Sequence, residues 1–174
     1  MSNPQRLNTL PKYAPIVATL CEVRGAEFLP FSIYNQAGIP ENDLESLVVA
    51  LNTDNIFGTK PNGIYLVRCA PKSMPRLQTL SDIVAAHIEY CEAHVDKLEY
   101  FPFGFMVVHD RNLNAKGLYL VYIDFEEPFQ VTGFRVYIED VATPAETLRN
   151  DDNGARELRD IYEMSMITHH TAQC

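Results

Sequence analysis

The chain reads as an α/β (or α+β) protein: a mixed, mostly central and apolar sheet of four to six strands with helices packed on it. Three observations predict this. Short apolar runs are interspersed with segments of helical period. A long helical period at 80–98 stands between strand-like runs at 64–69 and 103–109, the pattern of a βαβ unit with parallel strands. Two more strands, around 117–125 and 134–138, follow through short connections and are most simply an antiparallel meander.

Taken in order, PIVATLCEV at 15–23 has strand-like, buried character. EFLPFSIY at 27–34 is apolar, but Pro30 demotes it to an edge strand or extended segment. Gly38 and Pro40 break the chain before a first helix over 40–51, where Leu44, Leu47, Val48 and Leu51 recur at i, i+3, i+4 and i+7. IYLVRC at 64–69 is a nearly continuous apolar run, the mark of a buried strand. The second helix spans 80–98, with Thr79 and Asp82 as a weak capping box. After the strand at 103–109, DRNLNAKG reads as a polar loop.

GLYLVYIDF at 117–125 is apolar on both faces and so central. Phe134, Val136 and Ile138 alternate with Arg135, Tyr137 and Glu139, which places that strand nearer an edge. Thr143-Pro144-Ala145-Glu146 combines an N-cap, a proline at the first helical position and an acid at the third. DDNG interrupts that helix, and a last one runs over 155–167.

A length of 174 residues suits one domain, expected over 13–168, with a flexible polar arm at 1–12 and a frayed tail at 169–174. Apolar residues at 47% and charged residues at 21% are ordinary for a globular chain, which argues against disorder. The formal charge of −9 repels phosphate backbones, so no nucleic-acid partner is expected. No apolar stretch approaches the roughly 18 residues of a membrane span, and MSNPQRLNTLPKY is no secretory signal. The four cysteines lack CxxC spacing, which fits reduced thiols in a cytoplasmic protein.

The stretch AAHIEYCEAHVDKL, 85–98, concentrates His87, Cys91 and His94. At about 100° per residue, Cys91 falls near +40° and His94 near −20° of His87, all inside the apolar stripe. The rise of about 1.5 Å per residue separates the two histidines by about 10 Å, too far to share an ion easily. His87 with Cys91 is then the weak metal pair. An activated thiol is disfavoured on an apolar face near Glu89 and Glu92. Packed core with hydrogen-bonded neutral histidines is the preferred reading. The alternative makes this face the wall of a pocket between helix and sheet.

At the carboxyl ends of the presumed parallel strands stand Arg68 and the pair His109–Asp110, rim candidates for such a pocket. Asp124 is expected to pair with Arg135 across the hairpin, leaving Glu126 and Glu127 as acidic neighbours. His169, His170 and Cys174 crowd the tail. No GxGxxG, P-loop, GxSxG or HExxH occurs, so the motifs assign no catalytic residue and no cofactor. Composition therefore favours an acidic binding domain, acting on a protein partner or on its own copy as a homo-oligomer. A small-molecule binder or enzyme with a pocket lined by His87, Cys91 and His94 is the alternative, and transition-metal binding the weaker one.

Overall fold

A computed structural model describes residues 13–53, 65–72, 79–125, 130–150 and 154–172; the side chains of residues 14 and 164–172 are outside that description. The expected arm at 1–12, Glu126, Glu127 and Cys174 lie outside the described residues. The elements are α1 (Ala14–Leu20), β1 (Phe31–Asn35), α2 (Glu41–Thr53), β2 (Val67–Cys69), α3 (Leu80–Ala93), β3 (Gly104–Val108), α4 (Leu113–Lys116), β4 (Leu118–Ile123), β5 (Val131–Val136), α5 (Ala142–Asn150) and α6 (Ala155–Ala172).

The sheet is mixed and five-stranded, in the order β2-β1-β3-β4-β5. β1 pairs in parallel with both β2 and β3, while β3–β4 and β4–β5 are antiparallel. The α/β class holds, and so does the meander after the parallel strands. The βαβ unit holds as well, since β2 and β3, joined through α3, run parallel in one sheet. β1–α2–β2 joins neighbours, whereas the crossover through α3 carries the chain from β2 past β1 to β3. The parallel runs at 64–69 and 103–109 therefore have β1 between them.

Two expected positions exchange. The segment with Pro30 is not an edge: β1 is flanked on both sides, and Phe31, Ser32, Ile33 and Tyr34 are all buried. Pro30 is tolerated because it precedes the ladder and uses only its carbonyl, which accepts from the Phe101 amide at 2.8 Å. The run IYLVRC instead supplies the edge strand β2, where Val67 is buried and Arg68 exposed. β4 lies inside the sheet and β5 at its other edge, as their patterns predict.

The stretch 15–23 forms helix α1 rather than strand. Its β-branched residues obscure a helical period in which Tyr13, Val17 and Leu20 are buried and Ile16 partly so. The polar loop after β3 contains the short helix α4, started by the Asn112 side chain accepting from the Ala115 amide. Thr143 sits inside the first turn of α5 rather than capping it. α6 continues to Ala172, so the backbone of the expected frayed tail is helical as far as that residue.

Alternation along the strands splits the core into two layers. Ser32, Tyr34 and Phe105 face α3, through contacts with His87. Phe31 and Phe134 face the other way, towards Arg149 of α5 and Tyr162 of α6. Buried apolar residues on both sides form one connected cluster. Among the described residues, no helix is long and apolar enough to cross a membrane.

Asn52, near the end of α2, ties the edge strand down. Its amide donates to the Val67 carbonyl at 2.9 Å, and its oxygen accepts from the Leu66 and Val67 amides at 2.9 and 3.1 Å. Asn52→Ala should cost about 2 kcal/mol, since partly buried backbone groups lose their partners. Urea unfolding checks the loss, and hydrogen exchange should show Val67 deprotected first.

Candidate functional site

His87 is the most completely engaged titratable group on α3. It projects from the helix onto β1 and β3 and is 1% exposed. Nε2 lies 3.1 Å from the Phe101 carbonyl, which can only accept, so Nε2 carries the hydrogen. Nδ1 is then the acceptor, its one lone pair within reach of the Tyr34 hydroxyl at 2.9 Å and the Ser32 hydroxyl at 3.2 Å. Burial lowers the His87 pKa to about 4, against the opposing pull of the Phe101 and Pro102 carbonyls. Burial also raises the Tyr34 phenol, so imidazole and phenol are both neutral near pH 7.

Cys91 lies one turn on, its Sγ 3.8 Å from His87 Nε2. Burial pushes its thiol up to about 12, which removes it as a nucleophile. Ile83, Val84, Ile88 and Cys91 are each at most 1% exposed, so this face is filled core rather than a wall reached by solvent. His94 departs from the expected stripe. α3 ends at Ala93, and His94 turns at φ −117°, ψ 23°, into the solvent. There it stacks on Tyr90, with ring centroids 4.1 Å apart, and its Nδ1 meets the Tyr90 carbonyl at 2.8 Å. The three residues do not share a face, and both His87 nitrogens are already engaged. Among the described residues, no three His, Cys, Asp or Glu gather as a metal set.

At the carboxyl ends of the parallel strands, the candidate side chains meet partners within the chain. Asp110 accepts from the Asn112 amide at 2.8 Å, leading the chain into α4. His109 turns elsewhere, stacking on Tyr119 with centroids 5.3 Å apart. Its Nε2 accepts from Arg135 Nη2 at 2.9 Å, so His109, and not the expected Asp124, is the partner found for Arg135. Burial, then the Arg135 charge, lowers the His109 pKa, and Asp110 partly offsets this. Arg111 donates to the Ala37 carbonyl at 3.2 Å, tying the segment after β3 to the one after β1. Arg68 is exposed on β2, its guanidinium 5.7 Å from the Tyr100 ring centroid.

At the opposite end of the sheet, beside the starts of β1 and β3, lies a cavity of about 260 Å³. Phe101, Phe103, Tyr122 and Phe125 give it aromatic walls. Val23, Ala26 and Leu148 add aliphatic surface. Exposed Cys21, Glu27 and Asn150 stand at its mouth. The remaining lining residue is Arg149, in the last turn of α5, where a cation suits the helix dipole.

The Arg149 side chain is 5% exposed. Its Nη2 pairs with Glu146, and its Nη1 donates to the Leu29 carbonyl at 3.1 Å. The guanidinium lies 5.9 Å from the Phe31 ring centroid. Nε is buried and has no hydrogen-bond partner among the described residues. A buried donor left unpaired costs free energy, so this nitrogen is a local cost of holding the Arg149 pair in place.

This site was not among the residues singled out from sequence. The i, i+3 spacing of Glu146 and Arg149 and the clustered FPFGF aromatics were visible, but nothing local to either shows that they meet. Compared with protein-family models, curated proteins and solved structures, the chain matches none.

Proposed function

We propose that this chain binds a small organic molecule in the aromatic cavity beside Arg149. The observation that supports the reading is a cavity with four aromatic lining residues and one cationic side chain, Arg149, among the rest. Ligand sites combine mostly apolar walls with a few placed polar groups in this way. The volume of about 260 Å³ lies just under the roughly 300 Å³ at which such sites usually start, so the ligand is compact. The proposal keeps the small-molecule alternative drawn from sequence but moves it from the α3 face to the far end of the sheet.

Association with a protein partner or a second copy draws less support. The large exposed apolar side chains among the described residues are Phe28, Val49, Tyr65 and Ile161, which belong to four separate segments.

A panel of one- and two-ring aromatic fragments, followed by amide chemical shifts, tests the proposal. Binders should shift Phe101, Tyr122 and Leu148, and at ten times its Kd a ligand should add about 1.4 kcal/mol of stability. Val23→Phe, which fills the cavity, should abolish both responses. A panel with no binder, or binding that Val23→Phe leaves intact, removes the reading.

A further inference from the structure

We infer that His109 is a proton-operated latch: its neutral ring ties Arg135 of the edge strand β5 to the end of β3, and a proton at Nε2 makes it let go. The tie spans β4, because Val107, Tyr119 and Arg135 lie in one row of the register. His109 stands two residues on from Val107 and meets both Tyr119 and Arg135. A guanidinium has no acceptor and can only donate. The 2.9 Å contact from Arg135 Nη2 to His109 Nε2 therefore requires a bare Nε2, with the ring hydrogen on Nδ1. Protonation sets a donor against a donor and a second positive charge beside the first, so the contact breaks. Turning the ring over does not restore it, since both nitrogens of an imidazolium are donors. His87 differs on this point, because the hydroxyls at its Nδ1 can turn and accept.

The neighbouring groups set where the latch opens. His109, Tyr119 and Arg135 are all half-buried, so water weakens their interactions only in part. The Tyr119 ring stacks on the imidazole and has the guanidinium 6.0 Å from its centroid. Burial and the Arg135 charge hold His109 below its ordinary 6.5, while Asp110 pulls the other way. From α6, Glu163 acts on both Arg135 and Tyr119, and Arg159 and Asp160 act on Glu163 in turn. Burial raises Glu163 above its ordinary 4.5, so its titration has to be told apart from that of His109. Among the described residues Arg135 makes no ion pair. Its hydrogen-bond partner is thus an uncharged ring that mild acid withdraws, which frees Arg135 while leaving the backbone ladder of β5 in place.

Imidazole, arginine and tyrosine side-chain resonances of the full chain, followed from about pH 8 to about pH 5, test this. At the alkaline end His109 should be the Nδ1–H tautomer with a bare Nε2. Its midpoint should lie below 6.5, and the Arg135 and Tyr119 side-chain signals should move with that same midpoint. Arg135→Gln removes the charge, and its amide can accept as well as donate, so the His109 midpoint should rise by about half a unit or more. Glu163→Gln should leave the Arg135 step at the His109 midpoint. An Nε2–H tautomer at the alkaline end overturns the inference, as do Arg135 signals that stay still while His109 takes up its proton. An unmoved midpoint in Arg135→Gln overturns it too. If the Arg135 step vanishes in Glu163→Gln, the carboxylate drives the change and the latch falls.

Discussion

Acidification from pH 7 to below pH 4 should remove about 3 kcal/mol of stability through His87 alone. In the unfolded chain this imidazole titrates near 6.5, and in the fold near 4. Between those values the unfolded chain holds a proton that the folded one excludes, so stability falls as pH falls. The contribution is complete above about 6.5 and gone below about 4, at about 1.4 kcal/mol per pH unit across that interval. Hydrogen bonding is not what opposes the proton, because the Tyr34 and Ser32 hydroxyls can turn and accept from a protonated Nδ1. The obstacle is the loss of hydration in a site packed by Phe105 and the neighbouring core.

Urea unfolding at a series of pH values, for the natural chain and for His87→Gln, isolates this effect. Carboxylates contribute their own acid limb below about pH 5, so the readout is the difference between the two slopes from 4.5 to 6.5. The slope should flatten in the variant even if its stability at pH 7 is already lower. Equal slopes would mean that His87 takes up its proton in the fold as readily as in water.

His87 also shows how far a sequence of this kind can be read. Its burial follows from helical period alone, because residues three, four and seven apart share a face wherever the helix runs. His94 obeys the same arithmetic but lies beyond the point where the helix stops. That stop at Ala93 serves a distant need, since the chain must turn there to bring the Phe101 carbonyl beneath His87. The strand positions failed for a related reason. Pro30 forbids a ladder hydrogen bond at its own nitrogen, but only the register of Phe31 against Val67 shows that the ladder begins one residue later. In α1 the β-branched residues suggested a strand, and burial of Tyr13, Val17 and Leu20 against the core overrode that preference. The cavity was least legible, because its walls come from segments as far apart as Cys21 and Asn150. Only the sheet order brings them together.

The largest loss from one added methyl group should come at Gly117, where Gly117→Ala is expected to cost about 4 kcal/mol. This residue joins α4 to β4 at φ 66°, ψ −164°, a conformation open in practice only to glycine. Strain alone is not the main term. A Cβ there would stand 2.2 Å from the Val136 carbonyl oxygen and 2.8 Å from its carbon, both backbone atoms of β5. Neither can swing aside as a side chain would, so β5 must move or the end of the β4–β5 ladder must open. Gly38→Ala is the matched control. It has nearly the same φ, 68°, with nothing within 4 Å of the added carbon, and should cost only about 1 kcal/mol. Urea unfolding of the two variants compares a positive-φ alanine with and without the collision, and a Gly117→Ala loss no greater than that of Gly38→Ala would refute the steric account. The consequence reaches the proposed site. β4 carries Tyr122 at its other end, paired with Thr132 in the register that Leu118 and Val136 begin. A shift of that ladder moves one aromatic wall of the cavity, so the variant should also weaken binding of the aromatic fragments under conditions where it remains folded, while Gly38→Ala leaves it unchanged.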